Sequence, residues 1–280
     1  MGSWLLVVIL LLGAAATASA QTSAETAVPL VALAAQAPPT IIPAPQGPPT
    51  WELIGGFEAD THGTGYGFFG PSYVHPITPG FAWTARVFGN YLYYQFGDGI
   101  GETKVRSPGV STAVGLRFGD GNLFGLTTGA EGFFGVSVGP EVKWRLTESH
   151  RADGTLVREE TTSVGASLGA ELYTNPTSHN VVQGLFAYGT SDSYAYGQLS
   201  FKEQVSNLTW QDPNTVFVGV EGIMQGNKDI TSIQGGGLVQ VAHNPWDLSL
   251  TLRVGYKHSS FVSGPDKTGP YFGIGLYKRF

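Results

Sequence analysis

The feature that most constrains this chain is a regular alternation of apolar residues with polar or small ones, which begins at Trp51 and continues to Phe280. In segment 109–118 (GVSTAVGLRF) one face carries valine, threonine, leucine and phenylalanine, and the other carries serine, alanine, glycine and arginine. Segments 247–258 (DLSLTLRVGYKH) and 270–280 (PYFGIGLYKRF) alternate in the same way. Because the side chains of a β-strand point alternately to its two faces, the pattern predicts strands with one apolar face each.

Turn-forming residues separate the alternating segments. They include Asn-Pro, Asp-Pro and Asp-Gly pairs and the proline-rich stretch 75–80 (HPITPG), all of which favour reversals of the chain. The two longest segments meet at Asp153-Gly154, which predicts a charged hairpin that stands out of a membrane on one side. We expect about twelve strands, with ten or fourteen as the alternatives. Their predicted ranges are 51–60, 63–74, 81–96, 109–118, 122–147, 155–173, 181–191, 193–205, 215–225, 231–243, 247–258 and 270–280.

The length of the segments and the nature of their faces point to a membrane. Segments of about ten residues are long enough for a tilted strand to cross a bilayer. A soluble β-sandwich would need polar outer faces, whereas the faces opposite the small and charged residues here are apolar. Closure into a barrel also removes unpaired sheet edges, which a membrane demands. We therefore predict an all-β fold, a transmembrane antiparallel outer-membrane β-barrel with both termini in the periplasm.

The N-terminal part of the chain has a different character. Residues 1–20 combine an apolar run (WLLVVILLL) with a small-residue tail ending in Ala18-Ser19-Ala20, which predicts a secretory signal peptide, although no Lys or Arg precedes the run. Residues 21–50 are rich in alanine and proline and predict a disordered periplasmic segment. The barrel is expected over residues 51–280.

The composition excludes several kinds of site. Cysteine is absent, so disulfides and thiolate chemistry are excluded, and the six histidines show no metal-ligand spacing. Segment 65–70 (GYGFFG) matches the letters of a dinucleotide-binding loop, but PSYVHP follows it where that loop needs a helix. We expect no metal and no cofactor. The net charge of -6 argues against a nucleic-acid partner.

Strand parity sorts the charged residues of the predicted barrel. Acidic and basic side chains fall on the faces opposite the apolar rows. Because a charged side chain that faces lipid destabilises a barrel, we expect them in the lumen. Their near balance predicts a network of paired charges rather than a filter of one sign. The predicted lumen residues are Glu52, Glu58, Arg86, Arg117, Glu131, Glu171, Lys202, Glu221, Arg253, Lys257 and Arg279.

The end of the chain resembles the C-terminal signal that the outer-membrane barrel assembly machinery reads. Phe280 closes the sequence, and Phe272, Ile274 and Leu276 precede it on the same face. Lys278 departs from the pattern, because that signal usually has an aromatic or apolar residue there.

One segment resembles the active site of the outer-membrane lipid A deacylases, which hydrolyse an ester with a serine, a histidine and an acid. His258 and Ser260 match the family's H-x-S, and parity places His258 on the lipid-facing side. Phe261 stands where that family has an asparagine, and only Asp266 offers a nearby acid. Because the oxyanion donor is missing, we expect no catalysis here and keep this activity as the alternative.

The second half of the barrel resembles the BcsS family of cellulose-biosynthesis proteins from alphaproteobacteria. The resemblance rests on a glycine-rich pattern, on the ending at 269–280 (GPYFGIGLYKRF), on 187–190 (AYGT) with Ser193-Tyr194, and on the opening at 52–58. The pattern residues are Gly219, Glu221, Gly222, Gly226, Asn227, Gly235 and Gly236. The resemblance implies a non-enzymatic outer-membrane component that works beside a cellulose synthase complex. It supplies no catalytic residues.

These observations leave three functions. The first is a non-enzymatic accessory barrel of cellulose or exopolysaccharide production, the second a lipid-modifying hydrolase using His258 and Ser260, and the third a small channel. We expect the first, with outer-membrane lipid, the barrel assembly machinery, and cellulose or the synthase complex as partners. Tyr91, Tyr93 and Tyr94 could stack on sugar rings, although an interfacial aromatic girdle is the simpler interpretation.

Overall fold

The computed structural model describes residues 48–78, 80–97, 101–119, 132–174, 179–207 and 214–280. The predicted signal peptide and all but the end of the predicted disordered segment lie outside these ranges. Residues 122–131 of the predicted fifth strand, which include Glu131, also lie outside these ranges.

The described residues form twelve strands that follow one another along the chain. Their bounds are β1 Thr50–Asp60, β2 Gly65–Thr78, β3 Phe81–Gly97, β4 Glu102–Gly119, β5 Phe133–His150, β6 Leu156–Thr174, β7 Asn180–Gly189, β8 Tyr194–Asn207, β9 Asn214–Gly226, β10 Ile230–His243, β11 Leu248–Phe261 and β12 Lys267–Arg279. Each strand pairs antiparallel with its sequence neighbours, and β1 pairs with β12 from Glu52↔Arg279 to Asp60↔Tyr271. The predicted closed antiparallel barrel of twelve strands is confirmed. No helix in the described ranges is long and apolar enough to span a membrane.

Among strand ends predicted within the described residues, two differ from their predicted positions by four residues or more, and the others differ by three or fewer. The fourth strand begins at Glu102 rather than at 109, because its polar first residues pair with both β3 and β5. Alternation could not reveal this part, because Val105 is the one apolar residue among 102–107 (ETKVRS) and no apolar row forms. The second strand continues to Thr78 through the predicted turn 75–80. Pro76 is tolerated there because it lies beyond Val74, the last β2 residue paired with β1, next to a β-bulge.

The outer surface of the barrel is apolar. Outward valines such as Val114, Val164 and Val220 expose more than half of their surface. The alternate residues of the same strands point into the barrel, where charged and amide side chains are buried. This arrangement inverts that of a soluble β-protein and suits a barrel whose outside contacts lipid.

One side of the barrel rises well above the rest. The last pair between β6 and β7 is Ser167↔Gly189, so residues 156–166 of β6 extend beyond β7. The ends of β3, β4 and β5 rise with them, and we call this part, residues 94–97, 102–107, 145–150 and 156–166, the tall wall. Its hairpin turns where predicted, and Gly154 takes a φ of +80° that favours glycine. At this tip, hydrogen bonds from Thr155 lower the pKa of Asp153.

Candidate functional site

The first group of charges in the lumen surrounds Arg117 of β4. Its guanidinium donates two hydrogen bonds to the Glu52 carboxylate of β1, at 2.9 and 2.8 Å, and its Nε donates to Glu171 of β6 at 2.8 Å. Arg86 of β3 donates to the same Glu171 oxygen, and the Tyr277 hydroxyl of β12 donates to Glu52 at 3.1 Å. The exposed fraction of Glu52 is only 3%. We call these five residues the Arg117 cluster; it joins five strands, and its central pair, Glu52 and Arg117, is almost completely buried.

A second group lies around Glu221 of β9. Its carboxylate accepts hydrogen bonds from Gln198 at 2.8 Å and from the Tyr271 hydroxyl at 2.9 Å, and it lies 3.3 Å from Nε of Arg253. The Tyr271 ring lies so close to Gly255 that a Cβ built there would be 2.7 Å from its Cε1. A glycine is therefore required for the tyrosine to reach the carboxylate.

A third group surrounds Glu58 of β1. Gln234 donates to it at 2.8 Å, and Gln225 donates to its other oxygen. The ammonium of Lys257 lies 4.0 Å from Glu58 and 3.6 Å from Asp60, and Lys257 is only 2% exposed. Two acids and one base thus share a site that neutral amides complete.

Two of the predicted lumen bases lie outside these groups. Lys202 is buried and donates to the amide oxygens of Gln183 and Gln240, at 2.9 and 2.7 Å. Arg279 pairs with Asp247 at 2.9 Å, at the end of the barrel where both termini lie. The paired-charge prediction therefore does not describe Lys202, whose partners are uncharged.

Sequence reasoning missed a further polar group at the opposite end. The turn after β7 lies against the inner face of β5, where Lys143 donates to Asp192 at 2.7 Å. Glu141 accepts hydrogen bonds from the backbone and hydroxyl of Ser191, at 3.0 and 2.6 Å. Both Glu141 and Lys143 are buried, and the inward parity of β5 would have identified them. Lys143 falls within segment 142–162, which predicts the charged hairpin, and Glu141 comes directly before that segment.

Tyr91, Tyr93 and Tyr94 of β3 do not all lie on the same face of the strand. Tyr94 is fully buried in the lumen, where its hydroxyl donates to Asp229 at 2.9 Å. Arg145 of the tall wall donates to the same carboxylate at 2.6 Å, so the turn after β9 is tied to the opposite wall. Tyr91, which is exposed, faces outward, so the three cannot form one stacking surface.

Apolar clusters lie on both sides of the charged groups. One fills the end of the lumen near the tall wall and contains Leu92, Tyr94, Val105, Tyr194, Tyr196, Ile223, Ile230 and Phe261. The other lies nearer the termini and contains Phe133, Tyr173, Val181 and Phe217. Over the described residues the lumen is thus filled by its own side chains. Within the same ranges no three carboxylate, imidazole or thiol groups converge as a metal site requires.

His258 and Ser260 lie together on the outside of the barrel. The Ser260 hydroxyl is 3.2 Å from Nε2 of His258, and the Asp266 carboxylate is 3.6 Å from the same nitrogen. Nδ1 of His258 faces the Thr268 hydroxyl at 2.8 Å. In a catalytic triad the acid holds the nitrogen that the serine does not use. Here serine and acid compete for one nitrogen, so the arrangement does not activate the serine.

The C-terminal residues lie where lipid-facing parity places them. Phe272 and Ile274 are exposed on the outer face of β12, and Phe280 donates its backbone N–H to Trp51. Lys278, the departure from the assembly signal, lies over the Phe280 ring at 4.9 Å and donates to the carbonyl of Trp246.

The glycine-rich pattern of β9 and β10 has a structural explanation. Asn227 caps the turn between the strands, because its side-chain oxygen accepts hydrogen bonds from the backbone of Asp229 and Ile230, at 2.9 and 3.2 Å. Gly236 lies under Tyr271, whose hydroxyl would be 2.8 Å from an added Cβ. The pattern thus places Glu221 and shapes the slot for the tyrosine that binds it.

The comparisons with known proteins agree with this pattern. The family described as "Cellulose biosynthesis protein BcsS" matches residues 79–280, which is more than half of the chain. No curated protein matches the sequence.

Among solved structures, the chain is similar to the β-domain of the Bordetella autotransporter BrkA, with 13% identity, a TM-score of 0.45, and coverage of 82% of this chain and 98% of that one. It is also similar to the translocator domain of the autotransporter NalP from Neisseria meningitidis, with 12% identity, a TM-score of 0.48, and coverage of 81% and 87%. A third similar structure is the CymD monoaromatic hydrocarbon channel, with 9% identity, a TM-score of 0.40, and coverage of 82% and 88%.

Proposed function

The chain belongs to the cellulose biosynthesis protein BcsS family, and we propose that it is a non-enzymatic outer-membrane barrel that assists cellulose or exopolysaccharide production. In this proposal the barrel neither transforms nor conducts a substrate. It presents surfaces to cellulose, or to components of the synthase complex, on the two sides of the membrane. The observation that carries the proposal is the lumen filled by buried ion pairs in a member of a cellulose family.

Aromatic side chains near both ends of the apolar surface support insertion in a membrane. Trp51, Tyr73 and Trp83 form one group near the termini, with ring centroids 5.0 and 5.4 Å apart. Tyr91 and Trp144 are exposed near the base of the tall wall. Such belts mark the two interfaces of a bilayer. We place the termini in the periplasm, so that the tall wall stands outside the cell.

The packing of the lumen argues against a channel. An ion or sugar that passed through would have to displace the Arg117 cluster and the apolar clusters on either side of it. Glu52 and Lys257 expose 3% and 2% of their surface, so neither lines a water-filled path. The hydrolase alternative is disfavoured by the geometry at His258, where Asp266 and Ser260 share one nitrogen.

The proposal is tested by deleting the gene in its native host. We expect less surface cellulose, or disorganised cellulose, by Congo red and calcofluor binding, with unchanged synthase activity in isolated inner membranes. Complementation with the full chain should restore the polymer. A variant in which residues 147–159 are replaced by Asn-Gly should insert normally and fail to restore it, because the tall wall is shortened. Unchanged yield and architecture of the polymer in the deletion strain would remove the cellulose assignment.

A further inference from the structure

One edge of β6 is unpaired where this strand forms part of the tall wall. The ladder between β6 and β7 ends at Ser167↔Gly189. One residue further, Ala166 donates its backbone N–H to the hydroxyl of Thr190 at 2.8 Å, and its carbonyl accepts the Thr190 N–H at 2.9 Å. Beyond this point none of the described strands lies beside residues 156–164 on that side.

The backbone groups along this edge point to the open side at two-residue steps. In an antiparallel sheet, successive residues of a strand bond alternately to its two neighbours. Ala166 bonds on the β7 side, whereas Thr155, directly before the strand, bonds on the β5 side, where its carbonyl accepts the N–H of Arg151 at 2.9 Å. The even-numbered residues therefore direct their N–H and C=O groups to the open side, and they are Leu156, Arg158, Glu160, Thr162 and Val164.

The opposite edge of the tall wall, which is formed by β3, is covered. The last pair between β3 and β2 at this end is Gly65↔Tyr93. Beyond it, the Lys267 ammonium donates to the backbone carbonyl of Gln95 at 3.1 Å. The turn 262–266 lies against the same strand, since a Cβ added to its glycine would be in van der Waals contact with β3. The chain thus covers one edge of the tall wall, and the described residues leave the other uncovered.

We propose that the open edge of β6 binds an extended polypeptide segment as an added strand, with a lysine or arginine of that segment facing Glu159. A second β-strand repeats backbone donors and acceptors at the same two-residue step, which is about 7 Å. In this mode of recognition the main-chain hydrogen bonds provide the affinity, and the alternate side chains provide the specificity. The inference goes beyond the proposed function, because the edge would take a polypeptide whichever polysaccharide the barrel assists.

The charges along β6 specify the side chains of the partner. Arg158 and Glu160 lie on the outer face and pair with each other at 2.8 Å. Glu159 lies between them on the inner face and makes no ion pair within the part of the chain that the structure describes. One negative charge is therefore left on the edge. An added strand is favoured if it brings a base opposite Glu159 and disfavoured if it brings an acid, so the charges also prevent indiscriminate pairing.

A second copy of the barrel does not fit this edge. Two barrels in one membrane are related by an axis along the membrane normal, which sets identical residues of their β6 strands side by side at one height. In a parallel ladder, a residue that bonds to the neighbouring strand faces a residue that bonds away from it. Identical residues would both direct their groups to the shared side, so the two edges could not form a ladder.

The test is amide hydrogen exchange, measured residue by residue on the full mature chain in mild detergent. The probe is a synthetic peptide as long as the open row, with valine on one face, threonine on the other, and one lysine placed to face Glu159. With the peptide at millimolar concentration, we expect the amides of Arg158, Glu160, Thr162 and Val164 to exchange at least tenfold more slowly. The amides of the odd-numbered residues, which are already bonded to β5, should not change.

A backbone variant separates strand addition from binding through side chains. Thr162→Pro removes one N–H from the open side and no bond to β5, and proline is tolerated at such edge positions. It should abolish the slower exchange of the neighbouring amides, whereas the matched control Thr162→Ala keeps the N–H and should retain it. If Thr162→Pro does not fold, a peptide N-methylated at the residues that bond to the edge makes the same test on the unmodified chain and should give no protection.

Several results would overturn the proposal. They are unchanged exchange of the even-numbered amides with the lysine peptide, equal protection by a peptide with glutamate in place of the lysine, and equal protection by the N-methylated peptide. Slow exchange of these amides in the chain alone would also overturn it, because a segment of the same chain would then cover the edge. Since the purified barrel is measured, these outcomes are independent of the cellulose phenotype that tests the proposed function.

Discussion

The Arg117 cluster offers the sharpest test of how this barrel is held together. We consider Arg117→Met, which keeps an unbranched side chain and removes the charge. In the folded barrel Arg117 makes three charged hydrogen bonds, and its guanidinium lies 4.5 Å from the centroid of the Phe133 ring. Among the described residues, its loss leaves Glu52 with the Tyr277 hydroxyl as hydrogen-bond donor, and Glu171 with Arg86.

The expected cost follows from the charge that is left behind. Removing one partner of a buried ion pair typically costs about 3–5 kcal/mol, because the remaining charge is not compensated. Glu52 is almost completely buried, so we expect Arg117→Met to lower the free energy of unfolding by an amount within that range. The double variant Arg117→Met/Glu52→Gln removes both charges and should be more stable than Arg117→Met alone.

The assay is urea-induced unfolding in lipid vesicles, followed by tryptophan fluorescence. Arg158→Met is the matched control, because Arg158 pairs with Glu160 at 2.8 Å with both side chains exposed. An exposed pair of this kind contributes about 0–1 kcal/mol, so the control should unfold almost as the unmodified chain does. Equal stabilities for Arg117→Met and Arg158→Met would refute the view that the lumen is held by buried ion pairs.

Further predictions concern the barrel, its lumen and the pair formed by His258 and Ser260. The mature chain should fractionate with the outer membrane and migrate anomalously on SDS gels unless boiled, and recovery as a soluble periplasmic protein would contradict the barrel placement. In planar bilayers it should show little conductance, and a large, steady single-channel current would exclude the filled lumen. Gly255→Ala should cost about 1–3 kcal/mol by crowding Tyr271 and the neighbouring backbone. Gly222→Ala, with no atom within 4 Å, is its control in the same unfolding assay. His258→Ala and Ser260→Ala should leave lipid A acylation unchanged by mass spectrometry, and loss of a deacylated species in either variant would favour the hydrolase.

Most of the fold could be predicted from the sequence, because every strand of a lipid-facing barrel alternates apolar outward residues with polar or small inward ones. Period-two alternation located all twelve strands, and it failed only where that rule lapses. The start of β4 at Glu102 was missed because its polar residues stand in the tall wall, where both faces lie beyond the apolar belt. Parity assigned charged residues of the strands to the inner face without any knowledge of their partners.

The pairing inside the lumen could not be predicted from the sequence. Glu52 and Arg117 are 65 residues apart, and Glu52 and Tyr277 are 225 apart, so their contact depends on strand stagger around the closed barrel. Amides were missed for a different reason. Gln225 and Gln234 complete the Glu58 site but carry no charge to mark them.

The Arg117 cluster has a consequence for the order in which the molecule is made. Glu52 belongs to the first strand, Arg117 to the fourth and Tyr277 to the last. All three are therefore in contact only after β1 has paired with β12. Until the seam between β1 and β12 closes, Glu52 lacks the hydrogen bond from Tyr277. A barrel that sealed in a shifted register would move Tyr277 away from Glu52. The hydrogen bond from Tyr277 to Glu52 therefore depends on closure of the ring in the correct register, whereas the bonds of Arg117 join strands that precede the seam.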